Sequence, residues 1–144
     1  MPYERRHYLE CWCEETEGNQ DLPELQHNWT LRLDRIPEAA IIPIRGTWRS
    51  QLDTLDVELH LLKGLAFAYE AKPIDVSNEW LRDRHPPVRR VIRRISNTFW
   101  FFRDILRYGE DCLIVSPNAV QERFQQKLQT LYHAYETQHS EGID

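Results

Sequence analysis

Val88-Arg-Arg-Val-Ile-Arg-Arg-Ile95 admits two readings, and the architecture of the second half of the chain depends on which is taken. Its apolar residues, Val88, Val91, Ile92 and Ile95, fall at i, i+3, i+4 and i+7, the spacing of one helix face, and Pro87 suits a first helical position. Local periodicity therefore predicts a helix. A strand here would require neighbouring strands to override a short pattern.

The segments on either side are less ambiguous. Asn97 or Ser96 can cap a helix over Thr98 to Tyr108, where Phe99, Trp100, Phe102, Ile105 and Leu106 give a broad apolar face and Gly109 marks the end. Cys112 to Val115 reads as a short buried strand. Ser116-Pro117 opens a last helix with Val120, Phe124, Leu128, Leu131 and Tyr135 on one stripe, followed by a polar, fraying tail over 138–144. Upstream, Leu55 to Leu61 alternates, with Leu55, Val57, Leu59 and Leu61 inward. Residues 65–72 permit a helix that stops before Pro73, and Ile74 to Leu81 suits a strand.

Nearer the N-terminus, residues 7–13, rich in aromatic and apolar types, predict a strand. Residues 14–27, with Gly18, Asn19, Asp21 and Pro23, predict a mobile acidic connection. Trp29 to Ile36 alternates, placing Trp29, Leu31, Leu33 and Arg35 on one face, and Ala40 to Ile44 reads as a strand buried on both sides. No repeat period indicates a solenoid.

With 144 residues, 41% of them hydrophobic and 11% aromatic, the chain can fill one compact domain or two small ones. A net charge of -5 argues against a nucleic-acid partner until its distribution is considered. Arg82, Arg84, Arg89, Arg90, Arg93, Arg94, Arg103 and Arg107 face only Asp83 and Asp104 within 82–107, so that stretch carries +6 and the remainder -11. Cys11, Cys13 and Cys112 are an odd set without a CxxC pair, which fits a reducing compartment. No apolar run reaches the roughly 20 residues that span a bilayer, and the first residues lack a signal-peptide core. The expected location is the cytoplasm, with no membrane partner.

Nothing points to catalysis. GxSxG, HExxH, GxGxxG and P-loop patterns are missing from the sequence, and Cys11 with Cys13 lacks a second ligand pair at zinc spacing. The expectation is a non-enzyme with no catalytic residues, no metal site and no cofactor.

His7-Tyr8-Leu9, Leu31-Arg-Leu-Asp-Arg-Ile36 and the run Ile95 to Gly109 followed by Cys112-Leu-Ile-Val-Ser-Pro117 together resemble the WYL-domain family and its C-terminal extension. The Phe99-Trp-Phe-Phe102 version is similar to that of cyanobacterial CRISPR-associated members. The resemblance implies an α+β chain: residues 1–50 as the C-terminal half of an Sm/SH3-like β-barrel, 51–137 as a ferredoxin-like βαββαβ extension with a C-terminal helix, and 138–144 as tail. It also makes Val88 to Ile95 a strand, the reading adopted over the local periodicity.

The implied function is ligand sensing within a transcriptional regulator, in CRISPR or antiviral (phage) defence, with an oligonucleotide or small anion as effector. DNA would be reached only through an N-terminal helix-turn-helix that this chain lacks. His7 stands where the family signature has Trp, which removes a stacking surface.

The candidate binding residues are His7 and Tyr8 as a small aromatic platform, Arg32 and Arg35 as anion ligands, and Arg89, Arg90, Arg93 and Arg94 as a phosphate-following cluster. The alternatives are a core Tyr8, an Arg35 lying along the barrel surface, and an arginine strand that faces the acidic remainder of the chain. On one strand, Arg32 and Arg35 point to opposite faces unless it bulges. Phe99, Trp100, Phe101 and Phe102 cover most of a helical turn, so at least one ring must be exposed, and they are the candidate interface of a homodimer. A dimerisation module without a ligand of its own is the alternative function.

Overall fold

A computed structural model describes residues 7–36 and 51–141. The chain forms two compact units that divide between Leu55 and Asp56. It is mixed α+β, with two antiparallel sheets and, among the described residues, no closed barrel.

In the N-terminal unit, β1 (Tyr8–Trp12) pairs antiparallel with β2 (Asn28–Arg32), Tyr8 opposite Arg32 and Trp12 opposite Asn28. The connection between them is fastened rather than loose. Asn19 donates to the carbonyls of Gln26 and Asn28, both at 2.8 Å, and accepts from the Asp21 amide at 3.0 Å. Leu22 and Leu25 are buried, Trp12 stacks on His27 at 4.8 Å, and the Trp29 indole donates to the Glu15 carbonyl at 2.8 Å. The mobile loop expected over 14–27 is thus corrected to an ordered turn, because its few apolar and amide side chains find partners within it. The amide of Asn28 exchanges hydrogen bonds with the backbone of Asp53 at 2.7 and 3.0 Å, and Trp12 donates to the Asp53 carboxylate at 3.0 Å.

The second strand also ends earlier than its alternation predicts. After Arg32 the chain turns through one 3₁₀ turn, Leu33–Arg35. Within it the Asp34 carboxylate folds back to accept from the Arg32 guanidinium. The strand expected at Ala40 to Ile44 lies outside the described residues.

The C-terminal unit runs β3 (Leu55–Leu61), α1 (Lys63–Ala68), β4 (Asp75–Leu81), β5 (Val88–Ile95), α2 (Thr98–Tyr108), β6 (Cys112–Ser116) and α3 (Asn118–Glu141). Its four strands lie in the order β4-β5-β3-β6. Val57, Leu59 and Leu61, Val91 and Ile95, and Cys112 and Ile114 are buried with Ala66, Phe101, Phe102, Ile105 and Val120 of the helices. This is a sheet face covered by helices, and the period-2 pattern of β3 was its clearest sign.

Two helix boundaries differ from expectation, and one strand reading holds. The first helix starts and stops earlier than 65–72, and Tyr69 beyond it is extended, its side chain held inward by Asp75 and Arg93. The strand adopted for 88–95 against its helical spacing is the one observed: β5 is a central strand, paired with β4 from Leu81↔Val88 to Asp75↔Arg93 with a register shift between Asp75 and Ser77. The last helix continues to Glu141 instead of fraying at 138. The second helix matches expectation at both ends: Asn97 accepts from the Trp100 amide at 2.9 Å, and Gly109 follows Tyr108 with φ 64°.

Candidate functional site

The hairpin of the N-terminal unit gathers most of its predicted ligands. Directly opposed residues on an antiparallel pair share a face, their Cβ atoms about 5 Å apart, so the Tyr8 ring stands beside the Arg32 side chain. Both strand termini are fixed there, because the Leu33 amide donates to the His7 carbonyl at 3.1 Å. His7 and Tyr8 are exposed.

Arg32 is clamped by Asp34, Nε to Oδ1 at 3.0 Å and Nη2 to Oδ2 at 2.6 Å. The hydrogen bonds to Asp34 raise the pKa of Arg32, and those from Arg32 lower that of Asp34. A guanidinium has five N–H donors, so two bonds to Asp34 leave the outer edge of Arg32 able to donate. Arg35 is in the turn just beyond, exposed and without an ion pair among the described residues. The opposite-face argument for Arg32 and Arg35 does not apply, since the strand ends between them.

The four strand arginines do not form one surface. Residues 89 and 93 point to the helix-covered face of β5, and 90 and 94 to the other. Arg89 donates to Asn78 at 2.6 Å and to the carbonyls of Ala66 and Tyr69 at 3.2 and 3.3 Å, with Trp80 under its guanidinium at 5.3 Å. It closes the C-terminal end of α1, where free carbonyls attract a cation. Arg90 bridges Glu58 at 2.8 Å and Glu79 at 2.8 Å, and Arg94 pairs with Asp56 at 3.0 Å. Glu58 is partly buried, which disfavours its charge, but Arg90 and then His60 outweigh this and hold its carboxyl below the usual range.

Arg93 is the most enclosed of the four. Its side chain and that of Asp75 are each 1% exposed, paired at 3.1 Å, and Arg93 also donates to the Tyr69 hydroxyl at 2.8 Å. That hydroxyl donates in turn to Asp75, which further accepts the Lys72 amide at 2.9 Å. Burial opposes the charge of Arg93, yet Tyr108, Tyr69 and Asp75 together raise its pKa, while its buried Nη1 makes no hydrogen bond. Burial and the bond to Asp75 also push Tyr69 upward. The phosphate-following row expected of Arg89, Arg90, Arg93 and Arg94 is corrected for Arg93, which has no surface; Arg90 and Arg94 stay partly exposed, and all but Arg93 reach the outside of the unit while paired within it. Exposed Arg82 and Arg84, in the β4–β5 turn, make no ion pair among the described residues.

The aromatic run divides as its helix geometry requires. Phe101 and Phe102 are buried and cannot serve as a docking face, whereas Phe99 and Trp100 are exposed, with Arg103 stacked 4.3 Å above Phe99. Of the four rings expected at an interface, Phe101 and Phe102 are thus corrected to core residues, and Phe99 and Trp100 alone lie at the surface. Cys11 and Cys13 bring their sulfurs to 3.7 Å, but no group of three His, Cys, Asp or Glu side chains suited to a metal ion occurs among the described residues. No helix among them is long and apolar enough to cross a membrane.

Neither the protein-family models nor the curated proteins contain a match to this chain. The hairpin and the buried arginine node must be interpreted from their own chemistry. The node was invisible in sequence because Arg93 lies 18 residues from Asp75 and 24 from Tyr69; two arginines on the covered face of β5 were its only trace.

Proposed function

We propose that this chain is a non-catalytic sensing module of the WYL type whose N-terminal hairpin takes a phosphate-bearing ligand, with a short oligonucleotide as the working probe. The observation that carries it is the pairing of Tyr8 with Arg32 beside the exposed Arg35: a ring for a base or ribose, and two cations for its phosphate. In this reading Asp34 holds Arg32 in place and offsets its charge, leaving the patch a net +1 from Arg35.

The remainder of the chain is a scaffold of ferredoxin-like type. Its support is the element order βαββαβ with β4-β5-β3-β6 across the sheet and a helix appended. The wider role, regulation of transcription in antiviral or CRISPR defence through a DNA-binding segment outside these residues, rests on the motif resemblance.

The test is a salt titration. Two arginines contacting a single strand give a slope of log K against log salt of about -1.4, or roughly a sevenfold loss between 50 and 200 mM. Arg32→Ala with Arg35→Ala should abolish both the binding and its salt dependence, and binding unaffected by the double substitution would remove the assignment. A second reading, an assembly module, is favoured by the exposed Phe99 and Trp100.

A further inference from the structure

Two thiols of the N-terminal unit take no part in the hairpin patch. Side chains two apart on a strand point the same way, so Cys11 and Cys13 share the face of β1 opposite to Tyr8, and their sulfurs stand 3.7 Å apart. Both residues are held in place. Cys11 is opposite Trp29 in the hairpin register, and Cys13, one residue past the strand, donates its amide to the His27 carbonyl at 2.8 Å while its own carbonyl accepts from the His27 ring at 2.8 Å. The two side chains are half-buried, whereas Cys112 in the other unit is buried.

A pair of thiols in contact can hold a metal ion or form a bond. A closed structural metal site takes about four ligands, and no group of three His, Cys, Asp or Glu side chains suited to one occurs among the described residues. Covalent chemistry asks only for the two sulfurs. Two residues of strand rise by about 6.6 Å, at the upper end of the ~4.4–6.8 Å that a disulfide spans between Cα atoms. The pair therefore closes with a modest contraction of Cys11-Trp12-Cys13, and a bond held at that limit is a labile one, readily formed and readily reduced, rather than a permanent staple.

We infer that Cys11 and Cys13 are a redox-active dithiol that exchanges with small disulfides of the glutathione class. Cys13 reacts first. Cys11 keeps its proton, since burial and then the adjacent Cys13 sulfur push its thiol up to about 11, and the attacking species in such an exchange is a thiolate. Cys13, its proton released to solvent, attacks one sulfur of the small disulfide, whose S–S bond breaks as one small thiolate leaves. Cys11 then gives up its proton to that thiolate and attacks the Cys13 sulfur of the mixed disulfide, which forms the Cys11–Cys13 bond and expels the second small thiolate to take a proton from solvent. The two cysteines lose two electrons and two protons, and the small disulfide becomes two thiols. The ring so formed encloses Trp12, whose indole stacks on His27 and donates to Asp53, so its closure pulls on the contacts that fasten the hairpin to residue 53. This chemistry is independent of any ligand on the hairpin.

Mass spectrometry of the reduced full chain, incubated in mixtures of reduced and oxidised glutathione and quenched in acid, tests it. The wild type should lose about 2 Da, the two hydrogens of one internal bond, with the bond mapped to the peptide that carries residues 11 and 13 and with Cys112 still open to alkylation once urea is added. Excess dithiothreitol should reverse the change. Cys11→Ser should stop at one glutathione on Cys13, and Cys13→Ser should take glutathione on Cys11 at least tenfold more slowly; equal rates would overturn the order of attack. A wild type that carries glutathione without an internal bond overturns the inference. So does a covalent dimer, or a folded chain whose pair stays reduced in buffers that oxidise it in urea.

Discussion

Replacing Arg93 by Met removes a cation from a site with 1% side-chain exposure and leaves Asp75, equally enclosed, with only the Tyr69 hydroxyl and the Lys72 amide as donors. Breaking a buried pair by deleting one member costs about 3–5 kcal/mol, because the surviving charge has neither solvent nor counterion. Two remaining donors place this case near the lower end, about 3 kcal/mol, against a total stability of about 5–15 kcal/mol for a domain. With a urea slope of about 1–3 kcal/mol per molar, the unfolding midpoint of the C-terminal unit should fall by at least ~1 M. Fluorescence of Trp80 and Trp100 reports it. Arg93→Met with Asp75→Leu should recover most of the loss, since a buried pair gives little net stability over apolar residues of similar volume. A single substitution within about 1 kcal/mol of the wild type would refute the claim that Arg93 is structural and would reopen β5 as a ligand surface.

Three further perturbations follow from individual residues. Gly109 sits at φ 64°, ψ -145° with open space where a Cβ would go, so Gly109→Ala should cost about 1–3 kcal/mol through backbone strain alone, whereas Gly64→Ala in α1, at no such angle, should not lower the melting temperature. Burial pushes the Cys112 thiol up to about 12, and burial with the neighbouring Cys13 pushes Cys11 up to about 11; alkylation at pH 8 should spare Cys112 until urea is added. The protonated thiols are the forms the fold favours, so their contribution to stability is complete below the ordinary thiol value of ~8.5 and is lost as pH rises toward 11–12, visible as alkaline destabilisation that Cys112→Ala reduces. Glu58 runs the other way: its lowered pKa gives stability present above the ordinary carboxylate range and lost as pH falls through the folded value, and Arg90→Ala should flatten that acid limb in urea titrations at pH 3–6.

The parts of the fold legible in sequence were those decided by neighbours in the chain. The second helix carries its own start and stop in Asn97 and Gly109, and β3 displays its buried face by alternation. The strand β5 was not legible from its own residues, because Arg89 and Arg93 occupy buried-face positions that periodicity assigns to solvent. They are tolerated there by the α1 carbonyls, Asn78, Asp75 and Tyr69, all supplied from distant segments. In the candidate site, Tyr8 and Arg32 could be named from the motif, but their juxtaposition depends on the hairpin register. The turn that frees Arg35 from the strand, in which Asp34 folds back onto Arg32, is not marked by the alternation either. Helical spacing identified the apolar stripe of α3 correctly; burial of its first half and exposure of its second reflect how far the sheet extends, which no local pattern encodes.

The central claim is that the hairpin, and not the arginine strand, meets the ligand. Fluorescence anisotropy of a labelled single-stranded oligonucleotide of about ten nucleotides decides it, comparing the wild type with Arg32→Ala/Arg35→Ala and with Arg90→Ala/Arg94→Ala in 50 mM salt. The account predicts binding that the hairpin substitutions abolish and the strand substitutions leave within about twofold. Binding lost with the strand pair and retained without Arg32 and Arg35 would contradict it.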